Sequence, residues 1–104
     1  MIIYIIIIVI MGDLYKPAFR KFVKKQSRAF QLAIKDEVES VLDNPQIGEA
    51  KKGDLENIRV HKFKFHKQEY LIAYSHTGSD VLFYMIGTHE NFYKLLKDYL
   101  KEVD

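Results

Sequence analysis

The feature that most constrains the fold is a change of period at residue 58. From Ile58 to His66 the chain alternates. Ile58, Val60, Lys62, Lys64 and His66 fall on one side of an extended backbone, and Arg59, His61, Phe63 and Phe65 on the other. Upstream the apolar residues recur at helical spacing instead. Phe19, Phe22, Val23 and Phe30 form a loose stripe, and Phe30, Ile34, Val38, Val41 and Leu42 form a second. Pro17 suits the first turn of one helix, Ser27 suits the N-cap of the next, and Asn44-Pro45 stops it. A helical hairpin followed by a half-buried strand is the expected result. Phe63 and Phe65 then face the helices, which leaves Lys62, Lys64 and His66 on the opposite side.

Downstream, residues 67–69 turn the chain. Tyr70 to Tyr74 and Val81 to Ile86 read as two further strands around the turn-prone Thr77-Gly78-Ser79-Asp80. Thr88 is the expected N-cap of a last helix whose stripe is Phe92, Leu95, Leu96, Tyr99, Leu100 and Val103. Residues Met1 to Met11 are almost all apolar and rich in isoleucine. That run is about half of the ~20 residues a spanning helix needs. It lacks the basic start and small-residue cleavage site of a signal peptide, and its β-branched character reads as a buried strand. The expected order is therefore N-terminal strand, helical hairpin, three-strand antiparallel meander and C-terminal helix. This is an α+β chain forming a single domain over residues 1–104.

Several chemistries are excluded at this point. The chain has no cysteine, which rules out disulfides, thiol nucleophiles and thiolate-bound zinc, and which fits a reducing, cytoplasmic setting. The four histidines lack metal-ligand spacing, no serine sits in a nucleophile elbow, and Lys51-Lys52-Gly53-Asp54 is a turn rather than a phosphate loop. No metal or other cofactor is expected. A net charge of +2 says little; the distribution says more. Lys16, Arg20, Lys21, Lys24, Lys25 and Arg28 form an acid-free block, and Lys51, Lys52, Arg59, Lys62, Lys64 and Lys67 cluster near His61 and His66. Cations beside histidines suit an anionic backbone, although a lysine-rich solvated sheet face has the same pattern.

The motifs also carry a family likeness. Asn44-Pro45-Gln46-Ile47-Gly48, Lys52-Gly53-Asp54-Leu55, Arg59-Val60-His61-Lys62-Phe63-Lys64, Tyr70-Leu71-Ile72-Ala73-Tyr74 and Gly87-Thr88-His89-Glu90-Asn91-Phe92-Tyr93 follow in order over roughly Asp13 to Leu100. In that order and spacing they resemble the RelE/ParE superfamily of toxins from type II toxin–antitoxin pairs. Gly87-Thr88-His89 with Tyr93 is similar to the YafQ branch of RelE-like endoribonucleases.

The resemblance implies a RelE-like fold and a metal-independent mRNA endoribonuclease, or mRNA interferase. Such an enzyme acts in the ribosomal A site, inhibits translation, and is neutralised by an acidic cognate antitoxin. The alternative it implies is a ParE-like inhibitor of DNA gyrase without nuclease chemistry. It assigns His89 as acid or base, Lys62 and Lys64 as charge stabilisers or proton carriers and Tyr93 as a stacking or phosphate contact. His66 is the partner base by its place in the run. Lys51, Lys52, Arg59, His61, Arg20 and Lys24 would contact RNA. Read without the likeness, His89 is first of all a helix-start residue bonding locally, and the two lysines are equally well read as simply exposed. The chain departs from RelE proper at Leu71 and His89, where that branch carries arginines. Family members often begin with the spacing of Met11-Gly12-Asp13-Leu14-Tyr15-Lys16-Pro17-Ala18-Phe19, so residues 1–10 read either as the buried strand or as an extension.

Overall fold

The computed structural model describes residues 14–103. The N-terminal run, and with it the expected first strand, lies outside the described residues. Helix α1 (Pro17–Lys24) begins with its proline in the first turn, as the missing amide hydrogen favours. Helix α2 (Arg28–Asp43) is capped by Ser27, whose hydroxyl accepts a hydrogen bond from the Phe30 amide at 3.2 Å. The sheet that follows runs in the order β1-β2-β3-β4, all neighbours antiparallel. Its strands are β1 (Glu49–Ala50), β2 (Arg59–Phe65), β3 (Gln68–Thr77) and β4 (Asp80–Gly87). A 3-10 turn (Gly53–Leu55) links β1 to β2, and helix α3 (Phe92–Val103) ends the chain. The meander thus gains one short strand, and among the described residues the α+β architecture has a four-stranded sheet.

The two faces bury different side chains. Against α1 and α2 lie Phe63, Ile72, Tyr74, Val81, Phe83 and Ile86, packed with Tyr15, Phe19, Val23, Phe30, Ile34, Val38 and Val41. Phe65 stacks on Phe30 at 4.5 Å between ring centroids, so Phe63 and Phe65 do face the helical hairpin. On the other face Val60, Leu71 and Ala73 pack with Leu55, Ile58, Phe92 and Leu96. A register shift at Ala73/Tyr74 explains how β4 serves both. Val81 and Phe83 point to the hairpin before it, and Ile86 does so after it, because one extra residue reverses the alternation.

Three local expectations are corrected. His66 is not a strand residue: it forms with Lys67 a two-residue turn joining Phe65 to Gln68, both at positive φ (50° and 69°). Such tight hairpin turns need left-handed backbone at both positions, and closing the hairpin overrides the cost for these two side chains. Helix α3 does not start at Thr88. Residues 88–91 form a bend with Asn91 at φ 57°, and the helix begins at Phe92. Leu95, placed by its spacing on the buried stripe, is instead 53% exposed, because α3 meets the sheet through Phe92 and Leu96.

Candidate functional site

Opposite residues in an antiparallel pair share a face, so the register locates the site. Lys62 stands opposite Leu71 and Lys64 opposite Glu69. Leu71 in turn stands opposite Gly87, and continuing that register by two residues puts Glu69 opposite His89. The contact is made: His89 Nε2 and Glu69 Oε1 lie 2.6 Å apart. Lys64, Glu69 and His89 therefore form a row across the end of the sheet, with Lys62 one row further in. Leu71 packs with Phe92 and Leu96, and a side chain at Gly87 would meet the Phe92 ring, which fixes this as the face carrying α3. Beyond the helix the face is open. Lys62, Lys64 and His89 are all exposed.

Glu69 is the residue sequence reasoning missed. Its signal is only visible once the two-residue turn at 66–67 sets the register. A neutral imidazole that donated Nε2–H to the Glu69 carboxylate would keep a lone pair on Nδ1, the arrangement of an oriented proton acceptor.

Tyr93 joins the same face from the first turn of α3. Lys51 Nζ lies 5.1 Å from the centre of its ring, a cation–π distance. Lys51 also pairs with Glu49, which stands opposite Val60 at the sheet edge. The Glu49 carboxylate pushes the Lys51 ammonium pKa up; partial burial opposes this more weakly, and the Tyr93 hydroxyl adds to the rise. Glu49 is held below the usual carboxylate range by Lys51, with a smaller pull from Lys62. Lys52 is exposed on the adjoining loop.

Other expected site residues lie elsewhere. His61 points towards the helices and bonds Glu37 of α2 at 2.7 Å. Arg59 is occupied with architecture: its guanidinium donates to the carbonyls of Gly48 at 2.7 Å and Gln46 at 3.3 Å, and to Gln46 Oε1 at 3.0 Å. Arg20 and Lys24 sit on α1, behind the sheet from the lysine row. The His66 ring packs edge-on against Phe65 in its turn. Among the described residues no group of three or more His, Cys, Asp or Glu could hold a metal ion. A cleft of about 300 Å³ lies between Lys51, Asn57, Arg59, His76 and Thr77, beyond the lysine row.

Comparison with protein families matches residues 14–97 to the ParE-like toxin of type II bacterial toxin–antitoxin systems. The chain belongs to the ParE-like toxin family. The match spans most of the chain, and with it the helical hairpin, the sheet and the site-bearing part of α3. A search of curated proteins found no match. As a ParE-like toxin, and so a member of the RelE/ParE superfamily, the protein has a cognate antitoxin for its partner. No helix among the described residues is long and apolar enough to cross a membrane.

Proposed function

We propose that this ParE-like toxin, as a single domain, is a ribosome-dependent, metal-independent mRNA endoribonuclease of the cytoplasm, nearest in chemistry to the YafQ branch. The observation that carries the reading is the row Lys64–Glu69–His89, with Lys62 beside it and Tyr93 across the same open face. The reaction joins the ribose 2′-oxygen to the adjacent phosphorus and breaks the bond from phosphorus to the 5′-oxygen. It leaves a 2′,3′-cyclic phosphate and a 5′-hydroxyl. One group must take the 2′ proton, another must return a proton to the departing oxygen, and fixed cations must hold the phosphorane charge. His89, oriented by Glu69, is suited to proton transfer. Lys62 and Lys64 supply the positive charge, and the half-buried Tyr93 offers a ring or hydroxyl to a base or phosphate.

The test is to map RNA 5′ ends after induced expression, with and without a chelator, alongside a gyrase supercoiling assay. His89→Ala is expected to lower cleavage by about 10²–10⁴-fold with the fold unchanged. His76→Ala, at an exposed position near the end of β3, is expected to do little. A folded His89→Ala protein that cuts at the wild-type rate removes His89 from the mechanism. Wild-type protein that cuts no RNA but blocks gyrase replaces the nuclease reading with gyrase inhibition.

A further inference from the structure

Far from His89, at the turn end of β3 and β4, the sheet carries a cleft of opposite charge. Ser75 lies six residues beyond Glu69 in β3, roughly 20 Å at ~3.3 Å per residue. There a cleft of about 390 Å³ opens between the 3-10 turn, the two strands and helix α3. That volume is at the lower end of small-molecule sites, which run from about 300 to 1,000 Å³. Ile58, Leu82 and Leu100 give it an apolar wall. Asp54 and Glu56 stand exposed at its rim, and no lysine, arginine or histidine lines it. Neither carboxylate belongs to an ion pair among the described residues; the acids that do are Glu37, Glu39, Glu49 and Glu69.

The carboxylates are presented from a held turn. The Glu56 amide bonds the Gly53 carbonyl at 3.0 Å, the Ile58 amide bonds the Leu55 carbonyl at 2.9 Å, and Leu55 and Ile58 are buried. A second polar group lies deeper. Ser75 is only 7% exposed, and its hydroxyl has one partner among the described residues, the Tyr84 hydroxyl at 3.3 Å. Both side chains line the cleft, and that single bond leaves lone pairs uncommitted on both oxygens. The rim and the floor therefore both accept hydrogen bonds. Leu100 also belongs to the last turn of α3, where unpaired carbonyls carry the negative end of the helix dipole. We propose that this cleft binds an alkyl guanidinium or ammonium ion. The charged N–H groups meet Asp54 and Glu56, the methylene stem lies along Ile58, Leu82 and Leu100, and a second donor, where the ligand has one, reaches Ser75 and Tyr84. The inference rests on the cleft alone and stands whether or not the protein cuts RNA.

The probe is agmatine, a guanidinium and an ammonium joined by a short aliphatic stem, titrated into the intact toxin and followed by amide chemical shifts. Butanol is the uncharged control, and acetyl-Gly-Arg-Gly-amide carries the same cation on a peptide. Saturable shifts are expected at Asp54, Glu56, Ile58 and Ser75, with Kd on the order of 1 mM for so small a ligand. The Glu69 and His89 amides should stay still. The exposed double variant Asp54→Asn/Glu56→Gln is expected to keep its circular dichroism and to weaken agmatine about tenfold, since each exposed charge pair contributes modestly. Should it lose structure, Glu56→Gln alone is expected to weaken binding about threefold. Binding of agmatine alone assigns the site to a free amine; comparable binding of the peptide assigns it to a basic side chain of a protein. Three outcomes overturn the proposal: butanol binding as well as agmatine, an unchanged Kd in the folded carboxamide variants, or shifts centred on Asp36, Glu39 and Asp43 of α2. So does the absence of saturation by either cation at about twenty times the expected Kd.

Discussion

The two faces of this sheet are built to opposite rules. The face towards the helical hairpin is aromatic and closed: Phe30 meets Phe65, Phe63 and Tyr70, while Tyr15, Phe19 and Phe83 form a second group of rings. The face towards α3 is apolar only where that helix covers it, and then gives way to Lys62, Lys64, Glu69 and His89. One face holds the sheet in shape; the other displays charge on it. A rigid sheet can thus keep a row of solvated groups in fixed register, because the strands that carry them are anchored from behind.

The sharpest way to break this contrast is to truncate neighbours one residue apart in β2. Phe63 is buried and Lys62 is exposed. Phe63→Ala is expected to cost about 3–5 kcal/mol of stability, the range for emptying a buried aromatic site. Lys62→Ala should stay within about 0.5 kcal/mol, as exposed substitutions do, while lowering any activity that depends on the open face. Urea unfolding of the two variants decides it. Equal stability loss in both would mean that the lysine face, too, holds the fold.

The alternation that separates Phe63 from Lys62 is legible in the sequence, and so are the Ser27 cap, the Pro17 start and the stripe of α2. These are local signals, set by residues within a turn or two of one another. What was not legible depends on contacts distant in sequence. The register shift at Ala73/Tyr74 reverses β4 without any Gly or Pro to mark it. Placing the hairpin turn at His66-Lys67 requires left-handed backbone from two residues that do not advertise it. Glu69 gains its meaning only by standing between Lys64 and His89. The charge of Arg59 is visible in the sequence, but the carbonyls it holds, eleven and thirteen residues away, follow no local pattern.

The loop that Arg59 holds offers a subtler test, since it joins the closed face to the edge of the open one. A Cβ on Gly48 would stand 2.6 Å from the Tyr74 hydroxyl oxygen and 2.9 Å from its ring, and Tyr74 is fully buried with no room to retreat. Gly48→Ala is expected to cost about 1–3 kcal/mol, the usual penalty of overpacking a tight site. It should also loosen the loop that keeps β1 short. Thermal unfolding gives the first quantity, and exchange of the Glu49 and Lys51 amides gives the second. Unchanged stability would mean that the loop is not held against Tyr74.

The smallest expected effect is a pH dependence confined to the closed face. Burial, with a minor contribution from Glu39, raises the Tyr15 phenol well above its ordinary value, and burial raises Tyr74 as well. Both phenols therefore stay neutral in the folded protein when an unfolded chain begins to ionise them near pH 10. The unfolded state then loses protons that the native state keeps, so stability is unaffected well below pH 10 and falls as pH rises past it. For one tyrosine the loss reaches about 1 kcal/mol near pH 10.5 and steepens towards ~1.4 kcal/mol per further unit. Lysines ionise in the same range, so the useful quantity is the difference between wild type and Tyr15→Phe in melting temperature from pH 8 to 11. The variant lacks the phenol, so its alkaline limb should be shallower than that of wild type. Parallel limbs would show that the Tyr15 hydroxyl reaches solvent in the folded state, and the closed face would then be less closed than its packing implies.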